Sequence, residues 1–303
     1  MSKSGKVVQS TGKWYKVSIG DEIVDCRIPG KFRLKKEQVT NPIAVGDNVL
    51  VDIADDGMGM IEEIEKRENY IPRKATYGRR GEQILVSNID MAWVVQSIRQ
   101  PKIRQGFIDR FLVGCEAYQI PVGIVINKMD IAEPNDLEYL EELKAVYKEI
   151  GYPLIICSIH DPSSMDKLNE QLHGKTSVFI GPSGVGKSSL INAIRPDLDL
   201  SVGEVSASSN KGKHTTTFAQ LIPLNQSGYI VDTPGIREFG LVHIEESELS
   251  LFFPEMTEFR EQCKFYNCTH SHEPGCEVIT AYENGFIDPE RYNSYLNMLE
   301  SIK

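Results

Sequence analysis

The sequence predicts a multidomain α/β protein with three parts: a small β-barrel, a mostly parallel sheet covered by helices, and a helical module with a cysteine cluster. Three observations predict this order. Five short β-type runs lie within the first 64 residues, apolar runs alternate with helical patterns up to residue 231, and a cysteine-rich helical segment follows residue 241. The predicted domains are 1–68, 69–240 and 241–303.

Composition narrows the functional class. The 303 residues carry a formal net charge of -10, which disfavours nucleic-acid binding over the whole surface, because like charge repels phosphate. No run of eighteen apolar residues occurs, so no membrane contact is expected. Three of the six cysteines fall within residues 263–276, which indicates a metal site rather than a disulfide framework. We expect a cytoplasmic monomer.

The barrel is predicted from five β-type runs at 6–9, 14–18, 23–28, 48–52 and 60–64, separated by Gly and Asp turns. Five short strands that close their own edges suggest an oligonucleotide-binding (OB) type fold, with a purely structural β module as the alternative. The loop GKFRLKK at 30–36 places four cations around an aromatic ring. Such a loop can contact RNA, or it can simply be a solvated charged loop.

A polar stretch at 65–80 is predicted to be a linker into the second domain. The following β-type runs are 91–95, 122–126, 154–157, 177–180 and 229–231, and helical patterns cover 107–118, 136–150 and 187–194. Continuous apolar strands fit a mostly parallel sheet with helices on both faces. Ligands are then expected beyond the carboxyl ends of the strands.

A phosphate-binding loop follows the strand at 177–180 and opens the next helix. Its backbone N–H groups and the helix N-terminus suit phosphate, its lysine suits the β- and γ-phosphates, and the hydroxyl of Ser188 suits magnesium. The predicted binding residues are Gly181, Pro182, Ser183, Gly184, Val185, Gly186, Lys187, Ser188 and Ser189.

The segment NKMD at 127–130, at the end of an earlier strand, predicts which nucleotide base is bound. Asp130 can accept hydrogen bonds from N1–H and the exocyclic amine of guanine, donors that adenine lacks on that edge. Asn127 can bond the O6 and N7 side, while the stem of Lys128 can lie along the base and Met129 completes the segment. Ser158, after a further strand, is a weaker candidate whose backbone N–H could support O6. Together with a phosphate loop, these residues predict a GTP or GDP site.

Two further segments are candidate switches that respond to the γ-phosphate. In DTPG, Asp232 suits magnesium through water and the N–H of Gly235 suits the γ-phosphate. In KGKHTTT at 211–217, Thr215 or Thr216 could complete the magnesium shell.

The group that orients the attacking water is not evident, because Ile236 stands where many GTPases have glutamine. We predict that His214 orients the attacking water, with Thr216 and Lys187 as the other catalytic residues. A solvent-exposed or RNA-facing histidine is an equal alternative. A phosphate-loop enzyme that uses ATP and an RNA-binding scaffold with negligible turnover are the competing functions.

The cysteine cluster offers three thiols and an imidazole, a soft tetrahedral set for one structural zinc ion. Cys263, Cys268 and Cys276 are the sulfur ligands, with His270 or His272 as the fourth. Chemistry alone does not choose between the two histidines.

NKMD, GPSGVGKSS, KGKHTTT and DTPGIREFGL, with a barrel before and CKFYNCTHSHEPGC after, resemble the circularly permuted GTPases of the RsgA family, also called YjeQ or YloQ. The resemblance covers nearly the whole chain. It implies a GTPase that acts in late maturation of the small ribosomal subunit, is stimulated by that subunit, and contacts its rRNA through the barrel and zinc modules. The family pattern also favours His270 as zinc ligand and Thr216 on magnesium.

Overall fold

The computed structural model describes residues 2–11, 14–29, 42–74, 82–198, 219–224, 227–232 and 244–302. The predicted basic loop at 30–36, the segment 211–217 and the residues after Asp232 up to 243 lie outside the described residues.

Five strands form a closed barrel at the N-terminus, which confirms the predicted fold. The strands are β1 (Lys3–Ser10), β2 (Tyr15–Ile19), β3 (Glu22–Arg27), β4 (Asn48–Ile53) and β5 (Gly59–Ile64). Their order is β1-β2-β3-β5-β4, and β4 pairs back to β1. The pairing of β3 with β5 is parallel, and the others are antiparallel. Alternate side chains such as Val17, Val24 and Cys26 lie in the barrel core, and the pairing of β4 with β1 closes the barrel.

The prediction of a linker at 65–80 is wrong for part of that stretch. Residues Tyr70–Lys74 form strand β6, which pairs with strand β7 (Glu82–Ser87) in a two-stranded antiparallel sheet. Within this polar stretch the side chain of Ile71 is fully buried against the core of the second domain. Pro72 is tolerated because the register shifts between Ile71 and Pro72.

The second domain has a six-stranded sheet of β8 (Met91–Ser97), β9 (Val122–Asn127), β10 (Leu154–Ile156), β11 (Thr176–Ile180), β12 (Gln220–Pro223) and β13 (Tyr229–Asp232). The order is β10-β9-β8-β11-β13-β12, with only β12 antiparallel to its neighbour within this sheet. This arrangement confirms the mostly parallel sheet. β12 was not predicted from the sequence, because it is short and follows a polar segment.

Helices cover both faces of this sheet. They are α1 (Gln105–Ala117), α2 (Pro134–Ile150), α3 (Pro162–Leu172) and α4 (Lys187–Ile194). Apolar residues of α1 and α2 pack on one face, and those of α3 and α4 pack on the other. Among them α3 was not predicted, since polar residues interrupt its apolar positions. The fully buried strands β8 and β9 explain the continuous apolar runs.

The C-terminal module contains α5 (Thr257–Arg260), α6 (Glu277–Glu283) and α7 (Pro289–Ile302), preceded by two short 3-10 turns. Asp288 caps α7 as predicted, because its Oδ1 accepts hydrogen bonds from the backbone N–H groups of Glu290 and Arg291, both at 3.0 Å. Within the described ranges, no helix is both long and apolar enough to cross a bilayer.

A buried ion-pair network joins the C-terminal module to the second domain. Arg291 on α7 is fully buried, and its guanidinium lies 2.7 Å from Asp109 on α1 and 2.7 Å from Glu255. The hydroxyl of Tyr147 on α2 donates to the same Asp109 oxygen at 2.6 Å. One arginine therefore pairs with two carboxylates and fixes α7 against α1.

The barrel is continuous with the second domain. Strand β1 pairs with β12 at Gln9 and Gln220, so the barrel and the parallel sheet share one eleven-stranded hydrogen-bonded array.

Candidate functional site

The phosphate loop lies where the sequence predicted it, between β11 and α4. Gly186, the N-cap of α4, has a φ of 96°, and an added Cβ would lie 2.3 Å from Nδ2 of Asn127. Only glycine fits this position without displacing a neighbour. The ammonium of Lys187 donates to the carbonyls of Gly181 (2.8 Å) and Pro182 (2.7 Å). Its charge is thus held over the loop, where phosphate oxygens would meet it.

NKMD begins at the last residue of β9, and its first residue connects directly to the phosphate loop. Asn127 is 2% exposed, and its Nδ2 donates to the carbonyl of Val185 at 3.0 Å. Lys128 has a φ of 65° and its ammonium donates to the carbonyls of Gln100 and, at 2.6 Å, Gly184. The two motifs, 51 residues or more apart in the chain, therefore form one site. The contact predicted between Asn127 and guanine stays a prediction.

Asp130 has a partner that the sequence did not indicate. The hydroxyl of Ser158, at the end of the β10 loop, donates to Oδ1 of Asp130 at 2.6 Å. This hydrogen bond lowers the pKa of Asp130, so the carboxylate is charged and oriented. The backbone N–H of Ser158 itself donates to Oγ of Ser164 at 3.1 Å. In this structure Ser158 supports Asp130, whereas the predicted contact was between its N–H and O6.

The candidate switch residues are only partly described. Asp232 ends β13, beside β11, so its backbone lies at the same sheet edge as the phosphate loop. His214, Thr215, Thr216 and Gly235 lie outside the described residues.

The four predicted metal ligands converge at the start of the C-terminal module. The ligand atoms of Cys263, Cys268, His270 and Cys276 all lie within 4.8 Å of one another. Sγ of Cys263 is 3.8 Å from Sγ of Cys276, and Nδ1 of His270 is 3.5 Å and 3.4 Å from those two sulfurs. A tetrahedral zinc site with standard bond lengths has S···S edges of about 3.8 Å and S···N edges of about 3.6 Å. The donor set therefore fits a zinc ion.

Burial and hydrogen bonds support the same conclusion. Burial raises the pKa of Cys268 to about 12 and raises that of Cys276, so these thiols need a cation to become thiolates. Nε2 of His270 lies 3.2 Å from Oγ of Ser250, which leaves Nδ1 for the metal. His272 is exposed, and its Nδ1 lies 2.8 Å from Oγ of Ser271. The structure thus brings His270, not His272, to the thiols.

Comparisons with known proteins agree with this geometry. The family models described as RsgA GTPase and RsgA N-terminal domain match residues 64–242 and 4–61. A curated relative from Bacteroides fragilis, named "Small ribosomal subunit biogenesis GTPase RsgA", is 45% identical over 297 residues, which cover 98% of this chain and 96% of the relative. A relative with the same name from Flavobacterium johnsoniae is 44% identical over 301 residues, covering 98% and 93%.

Two solved structures are similar over the whole chain. The crystal structure of YjeQ from Thermotoga maritima has a TM-score of 0.83 at 34% identity, covering 100% of this chain and 99% of that one. YloQ, described as a circularly permuted GTPase, has a TM-score of 0.79 at 32% identity, covering 100% and 95%. This chain has the same permuted order, with its base-reading segment before its phosphate loop. It is a GTP-hydrolysing enzyme that belongs to the RsgA family.

Proposed function

We propose that this GTPase acts in the biogenesis of the small ribosomal subunit, as a switch whose hydrolysis is slow alone and faster on that subunit. The names of its relatives support the partner. The hydrogen bond from Asn127 to Val185 carries the nucleotide assignment, because it joins the base-reading and phosphate loops into one pocket. The rRNA of the subunit, GTP and GDP are the binding partners, and the cytoplasm is the compartment.

The residues divide the work of holding GTP. Asp130, oriented by Ser158, reads the guanine edge, and the stem of Lys128 lies along the base. Lys187 exchanges its two carbonyl partners for phosphate oxygens. Magnesium, when bound with GTP, would balance phosphate charge and be held by Ser188, Thr216 and Asp232.

Hydrolysis requires an oriented water, and the chain has Ile236 in the position where a glutamine is common. We propose that His214 accepts a hydrogen bond from this water once the ribosome positions its loop. Such dependence on a partner makes turnover conditional on assembly of the correct complex.

The zinc ion, one per chain, is proposed to be structural. Three thiolates and an imidazole fill a tetrahedral shell and leave no open position for a substrate. Its ligands, Cys263, Cys268, His270 and Cys276, close the loop that packs under α7, where Tyr292 donates to the carbonyl of His270 at 2.8 Å.

The charge distribution favours the barrel over the zinc module as the main rRNA contact. Residues 241–303 contain 12 acidic and 4 basic residues, a net -8 of the chain's -10, whereas residues 1–68 contain 12 and 11. The strongly negative C-terminal module therefore repels phosphate, whereas the nearly neutral barrel does not. On the barrel, the guanidinium of Arg27 stacks 3.9 Å from the ring centroid of Trp14, which is 38% exposed. Such a pair suits an unpaired base.

The proposal is tested by measuring GTP turnover alone, with small subunits and with large subunits. Stimulation by small subunits alone is expected. Equal rates in all three conditions would favour an RNA-binding scaffold with negligible turnover. That alternative exists because position 236 is isoleucine rather than glutamine. Asp130→Asn tests the base assignment separately, since the change should shift preference from guanine to xanthine nucleotides. Retained guanine preference would show that Asp130 does not read the base, and a preference of the parent protein for ATP would favour the ATP-using alternative.

A further inference from the structure

The loop between β8 and α1 lies between the two halves of the nucleotide site. Strand β8 is flanked by β9, which carries the base-reading loop, and β11, which carries the phosphate loop. Neighbouring strands are about 4.8 Å apart, so the two half-sites begin about 10 Å from each other with β8 in the gap. Residues 98–104, the spacer loop, leave the sheet at this gap.

The spacer loop contacts both half-sites. Toward the base-reading half, the backbone N–H of Ile98 donates to the carbonyl of Asn127 at 3.0 Å. Toward the phosphate half, a Cβ built at Gly184 would lie 3.6 Å from Cδ of Pro101. The ammonium of Lys128 binds the carbonyls of Gln100 and Gly184 together. The position of Lys128 therefore depends on where this loop lies.

Arg99 fastens the spacer loop to the start of α2. Its Nε donates to Oδ2 of Asp136, and its terminal nitrogens donate to both carboxylate oxygens of Glu133, one of them at 2.6 Å. Glu133 and Asp136 form the capping box of α2, only three residues after Asp130. Hydrogen bonds from the Glu133 N–H and from Arg99 lower the pKa of Asp136, so the pair stays ionised.

We propose that the spacer loop is a third wall of the nucleotide site and that Arg99 is a positioning residue that sets how long the nucleotide stays bound. The inference rests on the proposed nucleotide site. Arg99 acts on Lys128, which lies beside the base and ribose, and not on the γ-phosphate. Its effect should therefore be the same for GDP and for GTP.

The test measures dissociation of a fluorescent GDP and of a fluorescent non-hydrolysable GTP analogue from Arg99→Ala. Both dissociation rates should rise about 3- to 10-fold, as expected for loss of a partly exposed but forked ion pair. Single-turnover hydrolysis of bound GTP and the preference for guanine over xanthine nucleotides should not change. Arg99→Lys should restore part of the effect, because one carboxylate can still be paired.

Controls separate this inference from the proposed site. Arg110→Ala, on the exposed face of α1, removes an arginine elsewhere and should dissociate nucleotide like the parent protein. Glu133→Gln weakens the ion pair with Arg99 without removing the helix cap. This variant replaces Arg99→Ala in the test if Arg99→Ala does not fold. If Arg99→Ala and Glu133→Gln both release nucleotide at the rate of the parent protein, the inference is overturned. The proposed nucleotide site still stands in that case if Asp130→Asn loses guanine nucleotides. If Asp130→Asn binds guanine nucleotides as the parent protein does, the proposed nucleotide site itself is refuted. Equal losses in hydrolysis and binding would place Arg99 in the chemistry and also overturn the inference.

Discussion

Replacing Arg291 with methionine should release the C-terminal module from the α/β domain. The methionine keeps most of the side-chain volume but leaves Asp109, which is fully buried, without its cation. Breaking a buried pair by removing one partner destabilises by about 3–5 kcal/mol, because the remaining charge is uncompensated. Glu255 is 10% exposed on its side chain and can be hydrated, so Asp109 should account for most of the loss.

The effect should depend on pH. Burial raises the pKa of Asp109, and Arg291 opposes that rise. Without Arg291 the folded pKa lies further above the unfolded value of about 3.9. A carboxyl with a raised folded pKa binds its proton more tightly in the folded state, so stability is lost as pH rises above the unfolded value. The deficit of the variant should thus be smaller at pH 5.5 than at pH 8.

Native-state hydrogen exchange of the α7 amides measures this loss locally, which avoids assuming two-state unfolding of a multidomain chain. Adding Asp109→Asn to Arg291→Met removes the buried charge and should recover part of the protection. Lys167→Met, which removes an exposed cation on α3, is the control and should stay within about 0.5 kcal/mol of the parent. A loss below about 1 kcal/mol at pH 8, or no pH dependence, would refute the role assigned to the buried pair.

Three further predictions address the sites. Gly186→Ala should reduce nucleotide affinity at least 10-fold with the fold retained, since its Cβ would meet Asn127 Nδ2 at 2.3 Å. Binding titration measures the affinity, and circular dichroism checks the fold. Gly57→Ala, whose Cβ meets nothing within 4 Å, is the control for a positive φ. Cys276→Ser should lower bound zinc from one per chain, measured by elemental analysis, and loosen the module, whereas His272→Ala should keep full zinc; loss of zinc in both variants would contradict the ligand set. His214→Ala should spare GTP binding and abolish turnover stimulated by small subunits, and unchanged stimulated turnover would exclude a catalytic role for this histidine.

Local motifs were predictable because each one depends on a short stretch with a fixed geometry. The phosphate loop needs a strand, a glycine-rich turn and a helix in sequence, and NKMD needs only the end of a buried strand. The barrel strands followed from β-type runs and turn residues, and their observed ends differ from the predicted ones by at most three residues. Asp288 and Pro289 placed the start of α7 correctly.

Contacts between distant residues were not predictable. Ser158 reaches Asp130 because β10 pairs with β9, and Arg99 reaches Glu133 across 34 residues. Arg291 looks like an exposed helix position in the sequence, but its partner Asp109 is 182 residues away. Ile71 was assigned to a linker because a lone aliphatic residue among polar ones carries no periodic signal. In each case the determining interaction depends on tertiary pairing.

The pairing of β1 with β12 has a mechanical consequence for the whole molecule. β12 begins three residues after Thr217, the last residue of the segment with the candidate switch threonines. β12 is hydrogen-bonded to β13 on one side and to the barrel strand β1 on the other. A strand clamped on both edges resists sliding. A force applied to the barrel is therefore transmitted through backbone hydrogen bonds to the parallel sheet, whose strands carry the phosphate loop and the base-reading loop.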